Sequence, residues 1–281
     1  MTRAYSEQPD PGEIDRFLAE DIGAGDLTAA ILPETTTALA NVMTREPAVV
    51  CGQAWFDAVF ERLDPSVRVV WQCVDGAEVQ SGERLCQLQG SARSLMTGER
   101  SALNLLQTLS ATATLARKFA KAVEGTGVRV LDTRKTIPGL RLAQKYAVRC
   151  GGCHNHRIGL YDGILIKENH ILAAGSISQA IRRAEALGVD VMIEVEVETL
   201  DELEEALSAG AKRILLDEFS VSMMRKAVTA ATGRAELEVS GSVTLETIRE
   251  IAATGVDYIS VGALTKNVRA IDLSMRVMLG A

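Results

Sequence analysis

The chain has 281 residues, a formal net charge of −7 and a pI near 5.2. An acidic protein of this kind lacks the broad basic surface that nucleic acids or anionic membranes need. No apolar run approaches the roughly 18 residues of a membrane helix. The polar, acidic N-terminal stretch does not resemble a secretory signal, so we expect a cytoplasmic protein.

The first third is predicted to be a mixed α/β unit. Helices are expected over residues 12–22 and 53–63. Short strands are expected between about 37 and 97, separated by turn signals such as Asp75-Gly76 and Ser81-Gly82.

A helix of roughly 25 residues is predicted to begin at Thr97 and to end at Gly125 and Gly127. This start places Arg100 in the first turn, where a cation opposes the helix dipole. A ligand contact would explain a cation at that place better than a surface ion pair would.

After Gly127, strand-like and helix-like segments alternate. The strands are predicted at 128–132, 163–167, 191–197, 213–217, 237–241 and 258–262. The last four recur about every 22 residues, which is typical of βα units with parallel strands. We expect a closed or nearly closed βα-barrel, and an open doubly wound sheet is the alternative.

Polar residues follow each predicted strand at its carboxyl end, where the active site of a βα-barrel is built. In chain order these are Asp132 to Lys135, Lys167, Glu194 with Glu196, Asp217, Ser240-Gly241-Ser242, and Gly262. A purely structural arrangement would not place chemistry at one end of all six strands.

The alternation in IEVEVE predicts that Glu194, Glu196 and Glu198 point to one side of their strand. Carboxylates inside a barrel need cationic or metal partners. Lys167 and Arg134 are the partners that we expect.

The segment from Asp132 to His170 contains all three histidines and seven Lys/Arg residues against three acids. Such a local positive surplus in an acidic chain favours a pocket for a small anion. Arg141, Lys145 and Arg149 have helical spacing, so a solvated basic helix surface is the alternative for these three.

Together these groups indicate an enzyme that joins or splits a phosphorylated sugar and a carboxylated small molecule. Arginine and lysine bind carboxylates and phosphates, and the glycine-containing strand ends offer N–H groups to a phosphate. The acids suit ribose hydroxyls or Mg²⁺.

The five cysteines are expected to be reduced thiols. Cys150-Gly-Gly-Cys153-His154 spells C-x-x-C-H, which can mark haem attachment or half of a zinc site. We favour a tight turn or a close backbone approach at the two glycines.

Eight segments in order give the chain a close resemblance to the quinolinate phosphoribosyltransferase family, also called nicotinate-nucleotide pyrophosphorylase (carboxylating). They are GERSALN, DTRKTIPGLR, CGGCHNHRIGLYD, LIKENH, IEVEVE, LLDEF, EVSGSV and ISVGALTK. The resemblance covers most of the chain. Cys153, where the family usually has glycine, and Ser242, where glycine or asparagine is common, depart from it.

The resemblance implies an α/β sandwich domain over residues 1–112, with 270–281 packing against it, and an open βα-barrel over 113–269. It implies that quinolinate and phosphoribosyl pyrophosphate give nicotinate mononucleotide, pyrophosphate and CO₂ in NAD biosynthesis. A homodimer or larger homo-oligomer is also implied, in which Arg100 completes the neighbouring subunit's site.

The resemblance also assigns roles by position. Lys135, Lys167, Glu196 and Asp217 would be catalytic, and Arg134, His156, Arg157 and Lys167 would hold the carboxylates of quinolinate, with Thr133 beside them. Lys135 would meet the pyrophosphate, and Glu196 and Asp217 would face the ribose and Mg²⁺, directly or through the substrate. Ser240, Gly241, Ser242, Val261, Gly262 and Ala263 would hold the 5-phosphate.

Three alternatives remain open at this point. A phosphoribosyltransferase paralogue of the molybdenum-locus type would act on a different acid. A Schiff-base aldolase would use Lys167, and a metal- or haem-binding protein would use the C-x-x-C-H motif.

Overall fold

The structure, a computed structural model, describes residues 7–279. Two predicted ranges, 1–112 and 270–281, include residues 1–6 and 280–281, which lie outside the described part of the chain. The helices are α1 Pro11–Ile22, α2 Gln53–Leu63, α3 Ala92–Ala122, α4 Arg141–Cys150, α5 Glu168–Ala174, α6 Ile177–Glu185, α7 Leu200–Ser208, α8 Val221–Ala231, α9 Ile248–Ala252 and α10 Ala263–Lys266. The strands are β1 Thr37–Thr44, β2 Ala48–Val49, β3 Arg68–Trp71, β4 Glu78–Val79, β5 Arg84–Ser91, β6 Arg129–Leu131, β7 Gly163–Ile166, β8 Met192–Val197, β9 Arg213–Asp217, β10 Glu236–Ser240, β11 Tyr258–Ser260 and β12 Leu273–Leu279.

An antiparallel sheet of order β12-β1-β5-β3 forms one layer of the N-terminal part. Alternate residues of β1 are buried, with Ala38, Ala40 and Val42 in the same core as α1, α2 and much of α3. The last strand, β12, returns from the end of the chain to pair with β1. Two layers of this kind are a mixed α/β sandwich, as the resemblance implies.

Helix α3 begins five residues before the predicted start at Thr97. Ser91 ends β5 and also caps the helix, with its side chain accepting from the Ser94 N–H. Strand and helix therefore meet without a loop, so no turn residue marks the start of the helix in the sequence. The prediction that Arg100 lies in the first turn was wrong, because it lies in the third.

The second sheet contains six parallel strands in the order β6-β11-β10-β9-β8-β7. This is the circular order of a βα-barrel that is open between its first two strands, β6 and β7. His154 lies beside β6 in a parallel bridge to Leu131 and occupies part of that opening. The open βα-barrel that the resemblance implies is confirmed, whereas the doubly wound alternative is not the fold.

The two cores meet along α3. Residues up to Ala113 pack in the N-terminal core, whereas Ala116 and Phe119 pack in the core between the barrel strands and their helices. The boundary that we predict at 112/113 falls inside this helix. Within residues 7–279 no helix has the length and apolarity needed to cross a membrane.

Candidate active site

The carboxyl ends of the six parallel strands carry the polar residues that the sequence predicts there. The Asp132–Lys135 segment follows β6, Lys167 follows β7, Asp217 and Ser240 end β9 and β10, and Gly262 lies two residues after β11. Parallel pairing brings these ends to one edge, and Asp217 lies directly opposite Ser240 in the register. The candidate site is therefore this edge of the barrel.

Lys167 and Glu196 form an ion pair across neighbouring strands, with 2.5 Å between Nζ and Oε2. The side chain of Glu196 is 7% exposed and that of Lys167 is 46% exposed. This pairing was predicted. The nearly buried Glu196 carboxylate therefore holds the half-exposed Lys167 ammonium at the carboxyl-terminal edge of the barrel.

The other two acids of IEVEVE behave differently from the prediction. Glu194 is on the same side as Glu196 but lies in the middle of β8, below the site, and its partners are His156 and Arg213. Glu198 lies beyond the strand and is exposed, because β8 ends at Val197. Arg134 has no ion pair with either residue within 7–279.

Lys135 lies against the turn that follows β11. A Cβ atom at Gly262 would be 3.1 Å from Lys135 Cδ and 3.6 Å from Thr133 Oγ1. The Thr265 hydroxyl donates to the Lys135 carbonyl at 2.8 Å, and Thr133 Oγ1 accepts from the Lys135 N–H at 3.1 Å. The exposed side chain of Lys135 thus lies directly against the backbone of this turn, because Gly262 has no side chain to separate them.

The loop after β10 approaches the end of β9 closely. Gly241 has φ +106°, and a Cβ there would be 2.7 Å from a carboxylate oxygen of Glu218. Glu218 itself has φ +51°, a left-handed conformation that a non-glycine residue rarely adopts. This local strain lies beside Asp217, and nothing in the sequence marks Glu218 beyond its place in the segment LLDEF.

Arg134 has its Nε buried without a hydrogen-bond partner within residues 7–279. A buried guanidinium nitrogen without a partner is costly unless a ligand satisfies it. The Arg134 carbonyl accepts from Arg141 at 3.5 Å, which helps to hold the backbone. This is the one predicted carboxylate contact for which the structure shows an unmet donor.

His156 and Arg157 are held by the protein through several of their polar atoms. His156 Nδ1 accepts from the Arg157 N–H at 2.7 Å, and Nε2 is 2.9 Å from Glu194 Oε2. The Arg157 guanidinium donates to the Gly163 carbonyl at 3.0 Å. Direct contact of either side chain with a substrate stays a prediction.

A buried ion pair fixes the segment that carries these two residues. Lys145 Nζ is 2.5 Å from Asp132 Oδ1, and both side chains are 0% exposed. Asp132 also accepts from the His156 N–H at 2.9 Å and from Asn155 Nδ2 at 2.6 Å. Burial raises the pKa of Asp132 and lowers that of Lys145.

The basic residues of α4 therefore fit neither interpretation of the sequence. Lys145 is buried in its pair with Asp132 rather than solvated or open to a ligand. Arg141 donates to Thr136 and to the Ile158 carbonyl, and Arg149 pairs with Glu7. These cations hold loops and neighbouring segments together.

A second buried network lies in the middle of the barrel. Glu194 and Glu238 share Arg213, with shortest separations of 3.2 and 2.5 Å, and His156 Nε2 is 3.4 Å from Glu238. Ser260 donates to Glu238. Burial, and then the charge of Glu194, raises the pKa of Glu238 to about 7. The alternation of charged and apolar residues in β8 and β10 was the sequence signal for this network.

A cavity of about 400 Å³ opens at the opposite end of the barrel. Four of its lining residues, Arg129, Met192, Arg213 and Tyr258, are the first residues of their strands. His156 and Arg157 also line it. Residues 154–157 thus line this cavity at the amino-terminal ends of the strands.

Arg100 lies on α3 in the N-terminal part, with a side chain that is 60% exposed. Within residues 7–279 its ion pair is with its neighbour Glu99, at 3.9 Å. None of its described partners belongs to the barrel site. A role of Arg100 in a neighbouring subunit stays a prediction.

The C-x-x-C-H motif does not form a metal centre within the described residues. Cys153 is buried with its thiol against the Ala116 carbonyl at 3.2 Å, whereas His154 is exposed. Cys150 lies near Cys51 instead. The aldolase alternative is also disfavoured, since a Schiff-base lysine is usually desolvated, whereas Lys167 is half exposed and ion-paired.

Two family models match the chain. The model of the quinolinate phosphoribosyl transferase N-terminal domain matches residues 26–110, and that of the C-terminal domain matches residues 112–276. The chain belongs to the quinolinate phosphoribosyltransferase family. The residues gathered at the barrel edge lie within the second match.

Relatives of the same family match this chain over almost its whole length. A probable nicotinate-nucleotide pyrophosphorylase (carboxylating) of Bacillus subtilis is 42% identical over 267 residues, which is 95% of this chain and 92% of that protein. Quinolinate phosphoribosyltransferase (decarboxylating) 1 of Nicotiana glauca is 40% identical over 287 residues, 95% of this chain and 81% of that protein. The structure of the nicotinate-nucleotide pyrophosphorylase from Francisella tularensis matches with a TM-score of 0.94 at 45% identity, covering 99% of this chain and 100% of that one.

Proposed function

We propose that this protein is a quinolinate phosphoribosyltransferase. It converts quinolinate and phosphoribosyl pyrophosphate into nicotinate mononucleotide, pyrophosphate and CO₂, a decarboxylating pentosyl transfer of NAD biosynthesis. The observation that carries the proposal is the position of Lys135 against the Gly262 turn, because it places a cation beside the partly exposed backbone of a glycine turn at the barrel edge. The family membership and the two relatives described above support the same reaction.

The phosphoribosyl group would lie along the ends of the last three barrel strands. Backbone N–H groups of the two loops after β10 and β11 would hold the 5-phosphate. These loops are Ser240-Gly241-Ser242 and Val261-Gly262-Ala263. Asp217 and Glu196 would face the ribose, and Lys135 would contact the diphosphate, with Thr133 ordering the backbone beneath it.

Quinolinate would bind between the ends of β6 and β7. Lys167 and the unmet Nε of Arg134 supply two charged donors for its carboxylates. Arg157 and His156 would come from the adjoining segment that the Asp132–Lys145 pair holds in place.

The residues of this chain act by orientation and by electrostatic stabilisation. Lys135 stabilises the negative charge of the departing pyrophosphate, and Glu196 and Asp217 tolerate positive charge on the ribosyl carbon. The ring nitrogen of quinolinate, placed by Arg134 and Lys167, then bonds to that carbon. The quaternised nitrogen accepts the electron pair that the adjacent carboxylate leaves behind as CO₂.

Mg²⁺ is part of the proposal as a cofactor. Carboxylate oxygens are the ligands that this ion prefers, and Asp217 and Glu196 offer them at neighbouring places on the edge. Since Glu196 also holds Lys167 at 2.5 Å, substrate oxygens would complete the coordination. The ion would supply charge neutralisation at the diphosphate.

We further propose a homodimer or larger homo-oligomer, in which Arg100 reaches the quinolinate of a neighbouring subunit. Its exposed position, apart from the barrel edge of its own chain, supports this idea. A cytoplasmic location stays a prediction.

A product assay tests the proposed reaction. Purified protein with Mg²⁺, phosphoribosyl pyrophosphate and quinolinate should yield nicotinate mononucleotide and CO₂, and nicotinate in place of quinolinate should yield none. Turnover of nicotinate would contradict the dicarboxylate site. No turnover of either acid by folded protein would favour the paralogue that acts on a different acid.

A further inference from the structure

Two cysteines from different parts of the fold meet at the junction of the two cores. The thiols of Cys51 and Cys150 and a carboxylate oxygen of Asp75 lie within 4.8 Å of one another. Cys51 follows β2 in the N-terminal core and is 0% exposed, whereas Cys150 is the half-buried last residue of α4.

Helix α3 holds both cysteines in place. The Ser110 hydroxyl accepts from the Cys51 N–H at 3.0 Å and also lies 3.2 Å from the Cys51 carbonyl. The Cys150 carbonyl accepts from Arg117 at 3.2 Å. Because both backbones are bonded to one helix, the approach of the two thiols is part of the fold.

Gly151 explains why the motif CGGC contains glycine at this point. A Cβ there would lie 2.5 Å from the Ala113 carbonyl oxygen, so a larger residue would push the end of α4 away from α3. The close packing of α4 on α3 therefore depends on Gly151, and it is this packing that brings Cys150 to Cys51.

The two thiols are chemically unequal. The hydrogen bond from Cys51, with a further contribution from Tyr146, lowers the pKa of Cys150. Burial, and then the contact with Cys150, raises the pKa of Cys51. A half-buried thiol whose pKa is lowered, beside a fully buried second thiol, is the arrangement of an attacking and a resolving cysteine.

We propose that Cys51 and Cys150 are an oxidisable dithiol, which a hydroperoxide converts to a disulfide that links the N-terminal core to the barrel. The Cys150 thiolate attacks the terminal oxygen of the hydroperoxide and the O–O bond breaks. Cys150 becomes a sulfenic acid, and the other oxygen leaves as an alkoxide or hydroxide that takes a proton from solvent. The Cys51 sulfur then bonds to the Cys150 sulfur, the S–O bond breaks, and water leaves with the Cys51 proton. The two sulfurs supply the two electrons that reduce the peroxide.

A metal ion is the competing use of this cluster, and the hydrogen bonds of Asp75 disfavour it. Its Oδ1 accepts from the Gly52 and Gln53 N–H groups at 3.1 and 3.3 Å, and its Oδ2 accepts from the Tyr146 hydroxyl at 2.9 Å. The carboxylate is therefore engaged as the acceptor at the start of α2.

Peroxide treatment of the reduced full-length protein tests the proposal. Free thiols, titrated after unfolding, should fall from five to three, and a peptide map should show one Cys51–Cys150 link that dithiothreitol reverses. The thermal midpoint of the oxidised protein should rise by several degrees, because the link closes a long loop. C51S should stop at a Cys150 sulfenic acid that dimedone traps, C150S should form no link, and C73S should link as the native protein does.

Retention of all five thiols would overturn the proposal, and so would links spread over Cys73, Cys86 and Cys153. A stoichiometric metal ion in the purified protein that protects both thiols would also overturn it. Since the peptide map of the native protein is decisive by itself, a variant that fails to fold does not leave the proposal untested.

Discussion

At the scale of single residues, this protein uses buried charges to position exposed ones. Lys145 and Asp132 are fully buried, yet they determine where His156 and Asn155 lie. Glu196 does the same for Lys167 from within the barrel. His156, which is proposed to contact substrate, thus depends on the Asp132–Lys145 pair, which is itself fully buried.

Lys145→Met should destabilise the protein by about 3–5 kcal/mol, because it leaves the buried Asp132 carboxylate without its cation. Urea unfolding measures the change. The double variant with Asp132→Asn should recover part of the loss, since the unpaired charge is gone. If the double variant loses as much stability as the two single variants together, the pairing is contradicted.

Lys135→Gln should lower kcat/KM by about 10²–10³-fold, as expected for loss of one group that stabilises transition-state charge. Steady-state kinetics with quinolinate give the value. Lys226→Gln, at an exposed position of α8, is the matched control and should keep native kinetics. Native kinetics in the Lys135 variant would remove it from the proposed mechanism.

At the scale of elements, α3 is the part on which both cores are built. Its first half packs with the antiparallel sheet and its second half with the barrel helices. Close approach to α2 is possible at Gly98, where a Cβ would lie 2.7 Å from a ring carbon of Phe60 and 2.9 Å from Leu63 Cδ1.

Gly98→Ala should therefore destabilise the protein by about 1–2 kcal/mol, because overpacking outweighs the gain in helix propensity. Gly12→Ala, in the first turn of α1, is the control, because a Cβ there would meet only the side chains of the exposed residues Asp10, at 3.1 Å, and Arg16, at 3.8 Å. It should change stability by less than about 0.5 kcal/mol. Chemical denaturation of both variants is the measurement. A Gly98 variant as stable as the control would show that α2 and α3 can separate at little cost.

At the scale of the whole molecule, the barrel interior is layered along its axis. The candidate site lies at one end, an arginine-lined cavity lies at the other, and the Glu194–Arg213–Glu238–His156 network separates them. Because this network contains several buried ionisable groups, the stability of the whole fold depends on pH.

The folded protein should become less stable as pH rises, because the buried carboxyl group of Glu238 then ionises. Burial and the charge of Glu194 raise its pKa to about 7 in the folded protein, against an ordinary value near 4.3. Its contribution is therefore present below about pH 4.3 and is lost as pH rises through about 7. Thermal unfolding between pH 5 and 8 should show a steeper loss in the native protein than in Glu238→Gln, and equal slopes would contradict this prediction.

Arg100 should act between subunits. Arg100→Ala and Lys135→Gln should each be nearly inactive, and mixing them with subunit exchange should restore roughly a quarter of native activity, because half of the sites in the mixed dimers are intact. The control pairs Lys135→Gln with Lys167→Gln. Both of these residues belong to the same barrel, so that mixture should stay inactive, and equal behaviour of the two mixtures would contradict the shared site.

The sequence by itself determined the element types, the parallel barrel and the edge at which its polar residues gather, because periodicity and strand-end chemistry are local in the chain. Eight ordered motifs were sufficient for the family. Only the tertiary structure decided which charges face a ligand and which are buried in pairs. Lys145 and Arg141 have the same helical pattern in the sequence, yet one meets Asp132 in the core and the other a loop. Likewise Cys150 meets Cys51, about 100 residues away, rather than Cys153, since proximity across two cores is set by packing and not by spacing.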